Sequence, residues 1–393
     1  MKLIQAKIRG FGIFMESRWF DLNPHLNLFQ FPEQKYGKDF LRILQTINPT
    51  YAIKSTKPFA EFPKYTEQDG HTKRINPAKR TVALAVFSAT PSLVKELADI
   101  DQLLYETDRI EVGRRFDYSP WINFVELASS TRWSEISDDI QTLLDQTRRI
   151  APDRTSPVSD IIHSLKPADR IKDTLQDQLT NWLQNLPPEI RESSAQLIDT
   201  TTTAVLRAEH FHAARNIVRN RLPLFVEVGC SDLSPDTHQQ QIDLLHLISR
   251  RAEFLGRKSS KEEQIFLDEL NEQLATLQFS DIILRIDRSS AGALQVVSDK
   301  SYRESADDPL SLLRQIEARA CLAVAFSQVS CKTEPILLFT GPEQSLPDTL
   351  YDKLADFIMK ISNTCQCLYS FSDIDIFPKN ITGRRYSAID LAP

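Results

Sequence analysis

From about residue 222 to the C-terminus, short apolar runs alternate with amphipathic segments of helical length. The apolar runs have the length and composition of buried strands, whereas the amphipathic segments place apolar residues at helical spacing. This alternation predicts a sheet with parallel strands that is covered by helices. The predicted elements, in chain order, are a strand at 222–228, helices at 237–255 and 260–277, a hairpin at 280–298, a helix at about 311–328, a strand at 335–340, a helix at 348–362 and strands at 365–371 and 384–391.

The sequence before residue 222 shows two other patterns. The first 90 residues are β-rich, with alternating or continuous apolar runs such as Thr81–Ser88. The next 130 or so residues (91–220) are predicted to be helical, because leucine and isoleucine recur there at helical spacing. The predicted organisation is an N-terminal lobe at 1–90, a helical insertion at 91–220 and a C-terminal α/β lobe at 221–393.

Composition limits the classes of partner and compartment. The net charge of −6 gives no overall basic field that would attract nucleic acid or anionic lipid. No apolar run approaches the roughly 18–20 residues that span a bilayer, and the N-terminus lacks the apolar core of a signal peptide. Five cysteines without a repeated C-x-x-C spacing, and seven scattered histidines, provide no zinc set. We therefore expect a cytoplasmic protein without a membrane span or a bound metal.

Glycine is unusually scarce, with 10 residues in a chain of 393. The usual fraction is about 7%. Enzymes that bind phosphate use glycine where backbone N–H groups must close around an anion. The chain therefore has few places at which such a loop can form.

One short segment nevertheless has the position of a phosphate-binding loop. The apolar run Leu26–Phe31 is followed by Gly37-Lys38 and then by a predicted helix from about Lys38 to Ile47. Together with the order of the other elements, this arrangement resembles the SMC/RecF-type ABC ATPase head. The resemblance covers roughly 1–50 and 280–393. It implies an ABC-ATPase-like α/β head with an N-terminal β-rich lobe, a helical insertion and a C-terminal parallel-sheet lobe.

The resemblance places a P-loop remnant at Gly37, Lys38 and Asp39. A working P-loop reads G-x-x-x-x-G-K-[ST], in which glycines let the backbone wrap the phosphates and the hydroxyl binds Mg²⁺. Here Pro32 stands at the first glycine, or Phe31 if one residue is inserted, and Asp39 replaces the Ser or Thr. A proline has no N–H to offer, and a carboxylate repels a triphosphate.

The two other motifs of the family are altered as well. In the family, a signature motif with two adjacent glycines contacts the nucleotide of the opposing subunit. In the corresponding segment of this chain, both glycines are replaced by leucine. The Walker B aspartate and the general-base glutamate correspond to Thr340 and Gly341. The signature-like segment consists of Ser311, Leu312, Leu313, Arg314 and Gln315.

These substitutions predict a degenerate head that does not hydrolyse ATP and requires no cofactor. The predicted role is a scaffold or regulatory subunit, paired as a homodimer or with another ABC/SMC-like head, in DNA maintenance or in defence against foreign DNA. The process rests on the family resemblance alone. The alternative is a nucleotide-binding ATPase with an unconventional P-loop, in which Lys38 holds a phosphate of Mg-ATP. In this alternative, Asp39 together with Glu33 or Asp348 places the metal.

DNA is a further candidate partner. Arginine pairs and a short basic run are the residues that would contact its phosphates. Most such runs are solvated helix faces, so an acidic chain can contain them without binding DNA. The pairs are Arg114-Arg115, Arg148-Arg149, Arg250-Arg251 and Arg384-Arg385, and the basic run is Arg257–Lys261.

Overall fold

The computed structural model describes the chain in eight stretches. They are residues 1–11, 14–59, 79–100, 107–228, 235–277, 283–290, 292–298 and 309–391. The chain divides into two compact units. Unit 1 contains Met1–Ala89, Arg109–Ile122 and Asn220–Pro393, and unit 2 contains Thr90–Asp108 and Asn123–Arg219.

An antiparallel sheet is built from strands of the first third of the chain. Its members are β1 (Lys2–Phe11), β2 (Phe14–Glu16), β3 (Phe20–Asp21), β5 (Thr81–Ser88), β6 (Arg109–Arg115) and β7 (Pro120–Phe124). The order is β2-β1-β5-β6-β7, and β3 also pairs with β1. All six central residues of β5 are buried, which its uninterrupted apolar sequence explains.

A five-stranded parallel sheet forms the other layer of unit 1. Its members are β4 (Leu26–Gln30), β8 (Phe225–Glu227), β11 (Ile336–Thr340), β12 (Gln366–Phe371) and β13 (Arg384–Ser387). The order is β13-β4-β12-β11-β8, and every neighbouring pair is parallel. Strand β4 therefore lies between two strands that follow it by more than 300 positions. A separate antiparallel hairpin consists of β9 (Leu284–Arg288) and β10 (Leu294–Ser298).

Helices accompany the sheets in unit 1 and dominate unit 2. Those of unit 1 are α1 (Gln34–Gln45), α2 (Ile53–Thr56), α9 (Pro235–Gly256), α10 (Ser260–Thr276), α11 (Pro309–Cys331), α12 (Tyr351–Ser362) and α13 (Ala388–Leu391). Those of unit 2 are α3 (Pro91–Ala98), α4 (Trp133–Ile150), α5 (Ser156–Ser164), α6 (Asp173–Gln184), α7 (Pro188–Ser193) and α8 (Ala195–Arg221), which ends within unit 1. Short 3₁₀ turns lie at Pro152–Arg154, Pro342–Ser345 and Asp348–Leu350.

Each unit has its own apolar core. In unit 1, β11 and β12 and the helices α9 to α12 contribute to one cluster that includes Phe339, Tyr369 and Ile358. In unit 2, Ile140 of α4 and Leu179 of α6 belong to a second cluster. In the described part of the chain, no helix has the length and apolar content that a bilayer crossing requires.

The predicted fold class is confirmed, because an antiparallel sheet and a helix-covered parallel sheet are both present. The prediction that residues 91–220 are helical is wrong for β6 and β7. Helix α3 ends at Ala98, and the next described strand pairs with β5 and buries Ile110 and Val112. Spacing alone missed this strand because the neighbouring leucines fit a helical period. The three-part division of the sequence stays a prediction.

Candidate functional site

The carboxyl ends of the parallel strands gather several polar side chains at one edge of the sheet. This is the edge at which open α/β sheets bind their ligands. Strand β4 leads from it into α1, β11 ends there at Thr340, and β8 ends there at Glu227. The structure thus brings the P-loop remnant and the Walker B-like positions to the same edge.

The P-loop remnant is helical. Helix α1 begins at Gln34, so Gly37, Lys38 and Asp39 are its fourth, fifth and sixth residues. Phe31 donates its N–H to the carbonyl of Phe371 (2.9 Å), which ties the end of β4 to the end of β12. The predicted helix start near Lys38 is wrong by about one turn. The segment that would wrap a phosphate therefore consists of a short link after β4 and the first turn of α1.

Gly37 has a packing role in this arrangement. A methyl group at its Cα would lie 2.8 Å from Cβ of Ser370 and 2.9 Å from Cδ2 of Phe31. Such distances are shorter than any ordinary carbon contact. Glycine at this position lets α1 approach β12 closely, which explains the residue without a bound anion.

Gln34 bridges the start of α1 and the end of β11. Its Nε2 donates to the carbonyl oxygens of Thr340 and Gly341, both at 3.3 Å. Gly341 has a φ of 59°, and a Cβ there would lie 2.4 Å from Nε2 of Gln34. A side chain thus crosses the space between the P-loop remnant and the Walker B-like residues. Gln34 was not among the residues predicted from the sequence.

The start of α1 carries its own negative charge. Glu33 precedes the helix, and its Oε2 lies 2.7 Å from Nζ of Lys35. The hydrogen bond from Lys35 holds the pKa of the exposed Glu33 below its ordinary value. A carboxylate at a helix N-terminus interacts favourably with the helix dipole and repels a second anion there. Lys38 and Asp39 are both half-buried.

The hydroxyl group of Thr340 is hydrogen-bonded to the buried side chain of Glu227. Its Oγ1 donates to Oε1 of Glu227 (3.1 Å), and both residues are buried. The contact joins the carboxyl ends of β8 and β11, which are adjacent in the sheet. Glu227 was not predicted as a site residue, because its partner lies 113 positions away.

A second buried carboxyl group follows β11. Glu343 lies in the 3₁₀ turn Pro342–Ser345, is 1% exposed, and accepts a hydrogen bond from the Tyr369 hydroxyl. Burial raises the pKa of Glu343 to about 7, although the Tyr369 hydrogen bond opposes the shift. Its Oε1 has no hydrogen-bond partner. The sequence offers one signal, a carboxylate three residues after the end of a buried strand, which is too common to single it out.

The signature-like residues lie in the first turns of α11. Leu313 is 2% exposed and belongs to the core, and the half-buried Leu312 packs against the same core. Arg314 and Gln315 are half-buried, and only the backbone of Ser311 is described. Of the two leucines that stand at the glycine positions, Leu313 is therefore unavailable to a partner, because its side chain is buried in the core of its own chain.

These residues do not fit a magnesium-bound triphosphate. The amide cradle is replaced by a helical turn, and the Gln34 side chain crosses the neighbouring space. The hydroxyl of Thr340 is engaged with Glu227, and Gly341 has no side chain. Among the described residues, no group of three or more His, Cys, Asp or Glu side chains has the geometry of a metal site.

Several arginines of the predicted DNA-contacting pairs form hydrogen bonds or ion pairs within the chain. The buried Arg114 donates from Nε to the carbonyl of Thr46 (2.7 Å), from Nη2 to Ile47 (3.0 Å) and from Nη1 to Tyr118 (2.7 Å). It is therefore not available to DNA. Two further pairs each have a member in an ion pair, Arg148 with Asp145 and Arg385 with Asp375, whereas Arg250, Arg251 and the run 257–261 include exposed side chains.

Comparison with known proteins gives structural matches only. No family model and no curated protein matches the sequence. The chain is similar to an Smc head bound to the C-winged helix domain of ScpA (13% identity, TM-score 0.36, covering 96% of this chain and 91% of that one). It is also similar to the SMC head domain from Thermotoga maritima (10% identity, TM-score 0.35, 96% and 90%). A third match is the recombination mediator RecF with ATP (11% identity, TM-score 0.38, 98% and 95%). The chemistry of the site follows from the residues of this chain.

Proposed function

We propose that the chain is a non-hydrolysing head of SMC/RecF type that acts as a scaffold or regulatory subunit. The observation that carries this proposal is the helical turn at Gln34–Gly37, with the Gln34 side chain held by the carbonyls of Thr340 and Gly341. A working head needs an open loop and two acidic groups at these places. The first turn of α1 occupies the place of the open loop, and Thr340 and Gly341 occupy the places of the acidic groups. This end of the sheet is therefore closed to a triphosphate.

Loss of phosphoryl transfer follows from what the edge lacks. That reaction depends on positioning and on charge stabilisation by a lysine, a metal and a water-orienting residue. Lys38 is the one of these groups that the sequence retains. Without the amide cradle and the acidic partners, we expect neither tight nucleotide binding nor turnover.

Calorimetric titration with Mg-ATP tests this proposal, with Lys38→Ala as the matched variant. We expect no binding heat with either protein, because the residues that would hold the phosphates form a helical turn. Heat in the wild type that disappears in Lys38→Ala would contradict the proposal and support the ATPase alternative. A colorimetric assay for released phosphate on the same samples separates binding from hydrolysis.

The scaffold role requires a pairing surface, and the first turns of α11 are the proposed place. The usable side chains are Leu312, Arg314 and Gln315, because Leu313 is buried. The partner is a second copy of this chain or another ABC/SMC-like head. Participation in DNA maintenance or in defence against foreign DNA is part of the proposal and follows from the family resemblance.

Sedimentation velocity over a range of concentrations tests the pairing. We expect a dimer of the wild type, or a complex with an active head, that Leu312→Lys weakens at least tenfold. Leu312→Met is the control, because it keeps the apolar volume that packs against the core. A monomer at every concentration, with no complex in either variant, would contradict the pairing.

A further inference from the structure

Glu343 has an unusual environment for a carboxyl group. One oxygen accepts a hydrogen bond from the Tyr369 hydroxyl, and the other is buried without a partner. Buried carboxylates are normally paired with a cation or with several donors. The Tyr369 hydroxyl and the backbone N–H of Glu343 itself favour the carboxylate, but burial outweighs them, so the neutral acid fits this place better.

The Tyr369 ring has aromatic surroundings. The Tyr369 ring lies 5.0 Å from the ring of Phe377, 6.1 Å from Phe339 and 6.4 Å from Phe371. Rings of this kind offer no hydrogen bonds to a carboxylate and keep water away. An ionised Glu343 would therefore be stabilised chiefly by the Tyr369 hydroxyl.

The titratable groups that face the pair do not supply a compensating charge. Tyr351 of α12 interacts electrostatically with Glu343 and is hydrogen-bonded to Asp348, whereas Asp375 faces Tyr369 and is ion-paired with Arg385. The groups that shift the pKa of Glu343 include no cation among the described residues, so burial dominates and the pKa lies at about 7.

The segment that carries Glu343 is hydrogen-bonded both to the start of α1 and to the residue that follows β12. The residue before the turn, Gly341, accepts from Gln34, and Nε2 of Gln344 donates to Oγ of Ser372 (3.2 Å). The carbonyl of Glu343 accepts from the N–H of Leu346 (3.2 Å). Movement of Glu343 towards water would therefore disturb the contacts that close the edge.

We propose that Glu343 is a proton-controlled latch on the turn Pro342–Ser345. With the carboxyl group protonated, the turn packs against Tyr369 and the edge is closed. When the O–H bond breaks and the proton passes to water, the carboxylate leaves its buried position and the carboxyl ends of β11 and β12 become exposed. This inference concerns the opening of the edge and does not depend on whether any nucleotide binds there.

Hydrogen exchange measured by mass spectrometry between pH 5.5 and 8.5 tests the latch. The readout is the protection of peptides covering 340–350, corrected for the intrinsic exchange rate at each pH. We expect protection in the wild type to fall at least tenfold as the pH rises from 5.5 to about 7, and to change little above that. In Glu343→Gln, which mimics the neutral acid, we expect protection at every pH.

Two more variants complete the test. In Tyr369→Phe the carboxylate loses its donor, so the transition is expected at higher pH than in the wild type, even if Glu343→Gln folds poorly. Glu253→Gln, at an exposed position of α9, is the control and should keep the wild-type transition. Constant protection in the wild type, or the same transition in Glu343→Gln, would overturn the latch.

Discussion

At the scale of single residues, the meaning of a side chain depends on its neighbours rather than on its place in a motif. Gly37 has the motif position of a phosphate-binding glycine, yet its neighbours are the side chains of Ser370 and Phe31. Thr340 stands where a metal ligand is expected, and its hydroxyl is committed to Glu227. Both residues are explained by packing and hydrogen bonding within the chain.

Replacing Gly37 by alanine should destabilise the fold. In an exposed helix this change usually stabilises by a few tenths to 1 kcal/mol. Here the added methyl group would lie within 2.9 Å of three side-chain atoms, and overpacking of this kind costs roughly 1–3 kcal/mol. Urea denaturation gives the free energy of unfolding. Lys38→Ala is the control, with an expected change of roughly 0.5 kcal/mol or less; equal effects in both variants would contradict the packing role.

Glu343 should make the stability depend on pH. Burial raises its pKa from 4.5 to about 7, so the folded chain binds more protons than the unfolded chain between these values. The stabilisation by the neutral acid is therefore complete below pH 4.5 and is lost as the pH rises to about 7, by up to roughly 3 kcal/mol. Denaturation curves at several pH values measure this slope. In Glu343→Gln the contribution should be absent, and an unchanged slope would show that other groups are responsible.

At the scale of elements, α1 is fixed at both ends by contacts that are distant in sequence. Gln34 holds its start to the end of β11, and Arg114 of β6 donates to the carbonyls of Thr46 and Ile47 just after its end. A cation at this position also interacts favourably with the negative end of the helix dipole. One amide thus fixes the start of the helix and one guanidinium group fixes its end, while its buried apolar side chains pack between them.

Arg114→Met should cost roughly 3 kcal/mol, because it leaves buried carbonyl oxygens without donors. The neighbouring Arg115→Met is the matched control, since Arg115 is half-buried and its Nη1 contacts the hydroxyl of Ser119. Urea denaturation of the two variants gives the difference. If both lost the same stability, the cap on α1 would not be the reason for the burial of Arg114.

The sequence predicts elements well where one pattern dominates a long segment. The alternation after residue 222 yields β8, the hairpin, α11, β11, α12 and β12 close to their observed bounds. Sequence periodicity fails at β6, because leucines at helical spacing precede a strand that is defined by its pairing with β5. It also fails at the start of α1, because Gln34, Lys35 and Tyr36 have no pattern that separates a loop from a helical turn.

At the scale of the whole molecule, the two units have separate apolar cores. The candidate site lies entirely in unit 1 and draws on residues as far apart as Gln34 and Tyr369. Periodicity does not reveal such long-range contacts, which is why Glu227, Gln34 and Glu343 were missed. The P-loop-like, signature-like and Walker B-like positions were predicted from their order along the chain, and these assignments stay predictions.

Separate cores predict that damage to one unit is largely confined to it. Ile140 is fully buried in unit 2, and Ile140→Ala should cost roughly 2–5 kcal/mol there. Hydrogen exchange should show faster exchange in α4 and α6 and little change in β11 and β12. Leu337→Ala in β11, at a fully buried position of the unit 1 cluster, should give the reverse pattern. Uniform loss of protection in both variants would show that the chain unfolds as one cooperative body.

The first turn of α1 can be regarded as a ligand that the chain supplies to itself. It fills the sheet edge without any cost of association, because it is covalently attached to β4. A free anion would have to unwind about four residues and displace the Gln34 amide before it could bind, so its apparent affinity would be multiplied by the small fraction of unwound molecules and thereby reduced. Substituting acidic residues at 340 and 341 would not remove this competitor. Creating a nucleotide site at this edge would instead require glycines that weaken the turn itself.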